Sequence, residues 1–330
     1  MTQQDNHATG ASEKQLSRLE HFPNAFFAMI MGLAGLTLAT ERLEKTLGAE
    51  HQVSLLLLII TALTFAVLLA IYALKAIRHP AAVKWEWNHP VRMCFFPAIS
   101  IGFVLLATAL GPFAPGLSVA LWGLGAALHL AGTLAVTSAW IGHRTFEAPH
   151  LSPAWFIPAV GNILVPIVAG RTGYTELGWF FFAIGIVFWI VLLTLVFNRL
   201  IFHHPLPERL LPTLMILIAP PAVGFVAYIS MVGSLDPFAR ILYYSGIFFF
   251  LIILLQLPKL SRIPFAMSWW AYSFPMAALT ISTFLYAEKT LSAPLRIAGM
   301  VLFGLLVLVI IGLLFRTAKA IANRQVCKPE

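Results

Sequence analysis

Long apolar runs separated by short polar connections dominate the hydrophobic pattern of this chain. A run of about 20 apolar residues is long enough to cross the ~30 Å hydrocarbon core of a bilayer as a helix. The pattern predicts ten such spans, at 22–40, 53–74, 91–110, 117–141, 153–169, 177–197, 210–232, 238–257, 268–286 and 297–315. We therefore expect an all-α integral membrane protein with one transmembrane domain over 22–315.

Prolines occur in alternate spans, the first, third, fifth, seventh and ninth, and not inside the even spans. They are Pro23, Pro97, Pro158, the pair Pro220 and Pro221, and Pro275. A proline removes a backbone donor and clashes with the preceding turn, so it bends or breaks a helix. Broken backbone at membrane depth is tolerated inside protein or beside a cavity, but not against lipid. The alternation predicts five helical hairpins, with an inner ring of five kinked helices around a central pore and an outer ring of five straight helices.

Composition and charge agree with burial in lipid. The chain is 60% hydrophobic and only 10% charged, whereas about a quarter of the residues of a soluble domain are charged. Fifteen of the 21 Lys and Arg residues lie on the side of the N-terminus, and six lie in the opposite connections. By the positive-inside rule, the tails 1–21 and 316–330 are both expected in the cytoplasm. The excess of basic residues is then explained by the orientation of the spans in the membrane, so we expect no nucleic acid partner. We expect the protein to lie in the bacterial inner membrane.

Residues that carry chemistry are scarce. The sequence has no Gly-rich phosphate loop, no HExxH and no CxxC motif, and Cys94 and Cys327 lack the spacing of metal ligands. His129 is the one clear ionisable residue in the middle of a span, and a packing histidine is favoured over a proton carrier. We expect no enzyme activity, no catalytic residue, no metal site and no cofactor.

The predicted pore favours anions over cations. Few acidic residues lie inside the predicted spans to attract a cation. Backbone N–H groups freed where the inner helices break are expected to supply partial positive charge. The expected substrates are therefore small inorganic or organic anions.

Five groups of residues, in order between Pro23 and Phe315, resemble the slow-type plant anion channels and the bacterial TehA-type tellurite-resistance/dicarboxylate transporters. They are Asn88-His89-Pro90-Val91-Arg92, Phe95-Phe96-Pro97-Ala98, Phe156-Ile157-Pro158-Ala159-Val160 with Asn162, Ala219-Pro220 with Ala227-Tyr228, and Trp270-Ala271-Tyr272-Ser273-Phe274. The resemblance implies a homotrimer of ten-helix protomers, each with its own pore.

The resemblance also implies that Phe274 plugs the pore as its gate. Pro275 follows it here, where relatives have a small residue, so the bend differs in this chain. Phe27 on the first span is expected to contribute to the constriction. The further pore-lining or kink positions are Pro97, Pro158, Asn162, Pro220, Pro221 and Pro275.

Three functions from different classes follow from these residues. The first is a passive channel for small monovalent anions such as chloride and nitrate, because a channel needs weak binding and the apolar pore shows no paired arginines. The second is a proton-coupled C4-dicarboxylate (malate) carrier or a sulfite or tellurite transporter of the same family. The third is a non-conducting membrane scaffold or sensor.

Overall fold

The polypeptide is helical throughout the part that the structure describes. The computed structural model describes residues 18–142 and 146–327, and this part contains α-helices and short 3₁₀ helices but no strand. The α-helices are α1 (Phe27–Leu47), α2 (Gln52–Arg78), α3 (Pro80–Asn88), α4 (Pro97–Leu110), α5 (Pro115–Ile141), α6 (Phe156–Val160), α7 (Pro166–Thr172), α8 (Thr175–Phe202), α9 (Ala219–Val232), α10 (Pro237–Leu260), α11 (Ser273–Thr290) and α12 (Ala293–Ala322). The all-α prediction is confirmed.

Nine helical runs of the described residues are long and apolar enough to cross a membrane. They are Asn24–Leu47, Gln52–Arg78, Arg92–Leu110, Pro115–Ile141, Pro153–Thr172, Thr175–Phe202, Glu208–Val232, Pro237–Leu260 and Ala293–Ala322. The tenth predicted span corresponds to α11 and the 3₁₀ helix before it, which are less apolar. The hydroxyls of Thr280, Ser282 and Thr283 lower its hydropathy, yet each donates to a carbonyl of its own helix. The count of ten spans stays a prediction.

Burial separates the spans into two sets. We call Asn24–Leu47, Arg92–Leu110, Pro153–Thr172, Glu208–Val232 and 267–290 the inner runs, and α2, α5, α8, α10 and α12 the outer helices. In the most apolar window of the first four inner runs, 61% to 89% of the residues are buried, against 28% to 33% in the outer helices. Most of α11 is buried as well. The outer helices therefore present their apolar side chains to lipid and shield the inner runs.

The inner runs contact one another in a closed sequence. α1 packs against α4, α4 against the α6–α7 segment, α7 against α9, α9 against α11, and α11 against α1. Each inner run begins with a 3₁₀ helix before its α-helix. These first 3₁₀ helices are Asn24–Phe26, Arg92–Phe95, Pro153–Trp155, Glu208–Leu217 and Met267–Tyr272.

The prolines lie in the first turn of an α-helix, rather than in the middle of a helix as the sequence predicts. Pro97 is the first residue of α4, and Pro275 is the third residue of α11. Pro220 and Pro221 are the second and third residues of α9. The first four N–H groups of an α-helix have no intrahelical acceptor, so proline there sacrifices no hydrogen bond. The winding changes from 3₁₀ to α at or just before these prolines.

The fifth span contains two junctions, of which the sequence analysis predicts only the one near Pro158. Pro158 lies within α6, a five-residue helix, and the 3₁₀ turn Gly161–Leu164 follows it. α7 then begins at Pro166. Proline at the start of α7 has the same physical role as Pro97 in α4, because neither position needs a backbone donor.

Several helices continue beyond their predicted ends, α10 and α12 among them. α10 continues to Leu260 and contains Pro258 near its end, so the expectation that even spans lack an interior proline is wrong for this helix. α12 continues to Ala322, which lies in the predicted C-terminal tail. Residues 1–17 and 328–330 of the predicted tails lie outside the described residues.

A buried ion cluster fixes the connection between the first two hairpins. Glu86 of α3 forms an ion pair with Lys75, with 2.9 Å between Lys75 Nζ and Glu86 Oε2, and both side chains are 1% exposed. The Tyr72 hydroxyl donates to Glu86 Oε2 at 2.8 Å, and the Asn24 amide donates to Glu86 Oε1 at 3.3 Å. Arg92 Nη1 lies 3.4 Å from the same Oε1. This one carboxylate therefore joins α2, α3 and the starts of the first and third spans.

Glu86→Ala should destabilise the fold strongly. It leaves the Lys75 ammonium buried without its carboxylate, and breaking a buried pair in this way costs about 3–5 kcal/mol. Glu288→Ala is the matched control, because Glu288 is 49% exposed in its pair with Arg42 and such pairs contribute about 0–1 kcal/mol. Thermal unfolding of the purified variants measures both. Equal melting temperatures for the two variants would contradict a structural role for the Glu86 cluster.

Candidate functional site

Two apolar cavities lie inside the set of inner runs. The first, of about 50 Å³, is lined by residues from every inner run. These residues include Met31, Ile101, Val160, Val223 and Phe274. A cavity that all five inner runs enclose is the natural candidate for a pathway through the bundle.

The second cavity, of about 40 Å³, lies nearer the starts of the inner runs. Its lining again draws on every inner run and includes Ala28, Phe95, Ile157, Thr213 and Ala271. Because the inner runs all start on the side of the N-terminus, this cavity faces that side and the first cavity faces the opposite one.

Five residues border both cavities. They are Met31, Ile157, Ile216, Ala219 and Phe274. Phe274 is the largest of these side chains and is 9% exposed. These five residues, which we call the septum, therefore lie where the two cavities meet.

Small residues on α1 set the position of Phe274. A Cβ atom added at Gly35 would lie 2.8 Å from Ala277 Cβ and 3.4 Å from Phe274 Cδ2. One added at Gly32 would lie 2.2 Å from Ser273 Oγ. The missing side chains let α1 and α11 approach closely, and this approach holds the first turn of α11 against the septum.

The lining offers an anion few polar partners. The described residues around both cavities include no charged side chain. In the second cavity, Thr213 Oγ1 donates to Leu210 O at 2.6 Å and Trp270 Nε1 donates to Thr317 Oγ1 at 3.0 Å, so both groups are already engaged. Ser268 Oγ is buried and has no hydrogen-bond partner. A partly dehydrated ion at the septum finds little compensation for its lost water.

The expected row of free backbone donors is missing at the junctions described above. Two of the first three residues of α9 are prolines, which have no N–H group to offer. The Ala222 amide donates to Ile218 O at 3.3 Å, and the Ile99 amide donates to Phe96 O at 3.1 Å. The expectation that these breaks supply partial positive charge to the pathway is wrong at these positions, because proline or a local carbonyl takes the place of each free donor.

Phe27 borders neither cavity. Its ring lies edge-on to Phe65 and Tyr72 of α2, with centroids 6.1 and 5.7 Å away. Pro97 contacts the outer helix α5, since a Cβ at Gly132 would lie 3.3 Å from Pro97 Cγ. The pore-lining role predicted for these two residues stays a prediction without support from their positions.

Asn162 and Pro158 join the fifth span to α5. Asn162 Nδ2 donates to Thr133 Oγ1 at 2.9 Å and to Ala159 O at 2.7 Å, and Thr133 Oγ1 lies 2.7 Å from Pro158 O. Pro220 borders the first cavity and Pro275 the second, whereas Pro221 is buried and borders neither. Of the predicted kink residues, Pro220 and Pro275 are thus the ones at the cavities.

His129 behaves as a packing residue. It is fully buried, its Nδ1 lies 2.9 Å from Ser100 Oγ, and its Nε2 has no partner. Gly161 accommodates the ring, since a Cβ there would lie 2.8 Å from Nε2. The imidazole thus fills the space between α4, α5 and the junction of the fifth span.

Charged residues gather where the inner runs end, on the side opposite the N-terminus. Arg42 donates to Glu288, and Glu41 interacts electrostatically with Arg171, Arg42 and Lys45. Three basic and two acidic side chains therefore surround this end of α1, α7 and α11.

The turn between α9 and α10 is fixed by one carboxylate. The Ala239 amide donates to Asp236 Oδ1 at 2.9 Å, and the Tyr228 hydroxyl donates to Oδ2. These two donors hold the pKa of Asp236 below its usual value, chiefly through the backbone amide. Tyr228, one of the motif residues, therefore stabilises a turn and does not line either cavity.

Met31, Ile157 and Ile216 are site residues that the sequence analysis does not assign as pore residues. Each is an apolar residue in an apolar span, so no local signal separates it from lipid-facing or core residues. Only the three-dimensional contact with Phe274 identifies them.

A bundle of membrane-spanning helices with apolar cavities inside its inner set defines an integral membrane channel or transporter. The sequence profile of the SLAC1 family, described as voltage-dependent anion channel, matches residues 21–318. The chain belongs to this family. The family comprises channels and transporters rather than enzymes, and its members support anion transport as the general function.

Curated relatives come from plants, archaea and bacteria. The chain is 29% identical over 313 residues to the S-type anion channel SLAH3 of Arabidopsis thaliana, covering 93% of this chain and 49% of the relative. It is 29% identical over 294 residues to an uncharacterized transporter of Methanocaldococcus jannaschii, covering 82% and 86%. It is 29% identical over 300 residues to the tellurite resistance protein TehA homolog of Haemophilus influenzae, covering 88% and 90%. The chain thus spans about half the length of SLAH3 and most of the two microbial proteins.

Proposed function

We propose that the protein is a passive channel for small monovalent anions, chloride and nitrate, and that Phe274 gates it. The observation that carries the proposal is the septum, where Phe274 meets two apolar cavities enclosed by the five inner runs. Both cavities lie within one chain, so each protomer would contain its own pathway.

The barrier is attributed to the absence of compensating dipoles. An ion that enters an apolar constriction sheds part of its hydration shell, and the apolar wall offers no hydrogen bond or charge to replace the lost water. Hydrophobic constrictions in channels close a pathway by excluding water. Phe274, Met31 and Ile157 supply such a wall from three different inner runs.

Selection of anions is attributed to the charges outside the constriction. The chain carries a formal net charge of +8, and the cavity linings contribute no carboxylate among the described residues. Basic side chains at the end of α1 and α7 raise the local anion concentration at that mouth. Weak attraction at the mouth and no tight site inside suit conduction, because bound ions must also leave.

A carrier for larger anions is the second candidate. One relative is named for tellurite resistance, and another is named only as a transporter. Bidentate capture of two carboxylates would favour paired arginines beside the pathway, and the two cavity linings contain no arginine. A malate, sulfite or tellurite carrier would show saturable, pH-driven uptake, whereas a scaffold or sensor would show no flux.

The assembly and location belong to the same proposal. We place the protein in the bacterial inner membrane as a homotrimer, with both termini in the cytoplasm. The positive-inside distribution supports the orientation, and the exposed apolar faces of the outer helices support contact with lipid.

Phe274→Ala should raise chloride and nitrate conductance about tenfold or more, the change that follows when a barrier falls by about 1.4 kcal/mol. The ring borders cavities on two sides, so its loss opens a path instead of leaving a hole in a packed core. Anion flux into liposomes of the purified protein measures the effect, with malate as a comparison anion.

Phe225→Ala is the control for Phe274→Ala. Phe225 is a fully buried aromatic residue on α9, and its ring packs against Tyr243 and Tyr286 with centroids 5.6 and 5.7 Å away. Its truncation should cost about 3–5 kcal/mol of stability without raising flux. If Phe274→Ala instead loses stability like Phe225→Ala and leaves flux unchanged, Phe274 is a packing residue and the gate assignment fails.

Met31→Ala should raise flux less than Phe274→Ala does, and the double variant should exceed both single variants. Met31 borders both cavities but is a flexible, unbranched side chain that fills space less rigidly than an aromatic ring. Flux through the three variants, each with its melting temperature, measures the contributions. No further increase in the Phe274→Ala background would show that Met31 does not belong to the barrier.

A further inference from the structure

A third cavity, of about 330 Å³, lies outside the inner set. It is formed by the end of α1, the end of α11 and the start of α12, on the side opposite the N-terminus. Its polar wall contains Lys45, Glu288 and Arg296, and its apolar wall contains Phe284, Leu291 and Ala293. The pocket is therefore amphipathic, unlike the two cavities at the septum.

Two cations and one carboxylate line this pocket. Glu288 is engaged by Arg42, whose side chain is 15% exposed. Lys45 Nζ lies 3.9 Å from the other oxygen of Glu288 and is 58% exposed. Arg296 also lines the pocket, and no ion pair of the described residues involves it. Since Arg42 compensates Glu288, the pocket carries a net positive charge that suits an anionic ligand.

The apolar wall lies at the level of the bilayer surface. The first membrane-spanning run ends at Leu47, and the last begins at Ala293. Leu291 is 92% exposed and has a backbone φ of 52°, in the left-handed region that disfavours residues with a side chain. Ile297, one turn into α12, is 61% exposed on the lipid side. This φ closes the C-terminus of α11, where the Ser292 amide donates to Ala287 O at 3.1 Å. The exposed Leu291 side chain lies in the same pocket wall region as Lys45 and Arg296.

We propose that this pocket binds the phosphate group of an anionic phospholipid in the leaflet opposite the N-terminus. Lys45 and Arg296 hold the phosphate oxygens through charge-assisted hydrogen bonds, which are roughly twice as strong as hydrogen bonds between neutral groups. Leu291 and Ile297 contact the start of the acyl chains. The ligand chemistry is a phosphodiester, and the apolar wall favours a lipid over free phosphate.

The test uses the full-length protein purified in a neutral detergent. Dioleoylphosphatidylglycerol, dioleoylphosphatidylcholine and inorganic phosphate are titrated separately, and binding is followed by native mass spectrometry and by the melting temperature. Lys45→Gln, Arg296→Gln and the double variant are compared with the parent. Lys289→Gln is the matched control, because Lys289 lies on the same side but donates to Gly233 O instead of lining the pocket.

Phosphatidylglycerol should bind the parent and raise its melting temperature more than phosphatidylcholine does. Each removed cation should weaken binding about fivefold and the double variant about thirtyfold, while Lys289→Gln should bind like the parent. Elution of each variant at the parent's volume in gel filtration, together with a cooperative thermal transition in lipid-free detergent, verifies that each variant is folded.

Three results would overturn the proposal. If the folded double variant bound phosphatidylglycerol as well as the parent does, the pocket would not be the lipid site. Equal weakening by Lys289→Gln would reduce the effect to general surface charge. If inorganic phosphate raised the melting temperature as much as phosphatidylglycerol does, the pocket would be assigned to a free anion instead of a lipid.

Discussion

The fold depends on one constraint, which is that backbone N–H and C=O groups inside a membrane must find partners within the protein. The outer helices satisfy it with unbroken α-helices of 24 to 30 residues. The inner runs satisfy it differently, with a 3₁₀ start followed by an α-helix, and α4, α9 and α11 contain proline in the first turn. Proline removes donors where the helix could not use them, and burial behind the outer helices protects the junctions from lipid.

The same constraint determines the chemistry of the cavities. Free N–H groups at helix starts would have lined the pathway with partial positive charge, but prolines and local carbonyls take up these donors, as at Pro220 and Ala222. The septum is consequently apolar on every side, and charged residues such as Arg42 and Arg171 remain at the end of the bundle. In the proposed channel, the anion is attracted at the mouth and its passage is controlled at the septum.

Much of the architecture could be predicted from the sequence because its signals are local. Apolar run length gives the spans, and the alternation of proline identifies which runs are buried, as the burial of α4 and α9 shows. Phe274 could be named from the residues around it, but Met31 could not, because a methionine in an apolar run looks the same at a septum, in a core or against lipid. Glu86 is likewise unpredictable, since a carboxylate in a short connection normally lies in solvent, and only the fold brings Lys75 and Tyr72 to it.

Accessibility of single cysteines tests the central claim, one pathway closed at Phe274, most directly. Val223→Cys would place a thiol in the first cavity and Ala271→Cys in the second, each in a Cys94→Ser, Cys327→Ser background. A small, membrane-impermeant thiol reagent is then added to one side of oriented liposomes. The account predicts that Ala271→Cys reacts only from the side of the N-terminus, Val223→Cys only from the opposite side, and that adding Phe274→Ala makes each reactive from both. Reaction from both sides while Phe274 is present, or unchanged one-sided reaction after its removal, would contradict it.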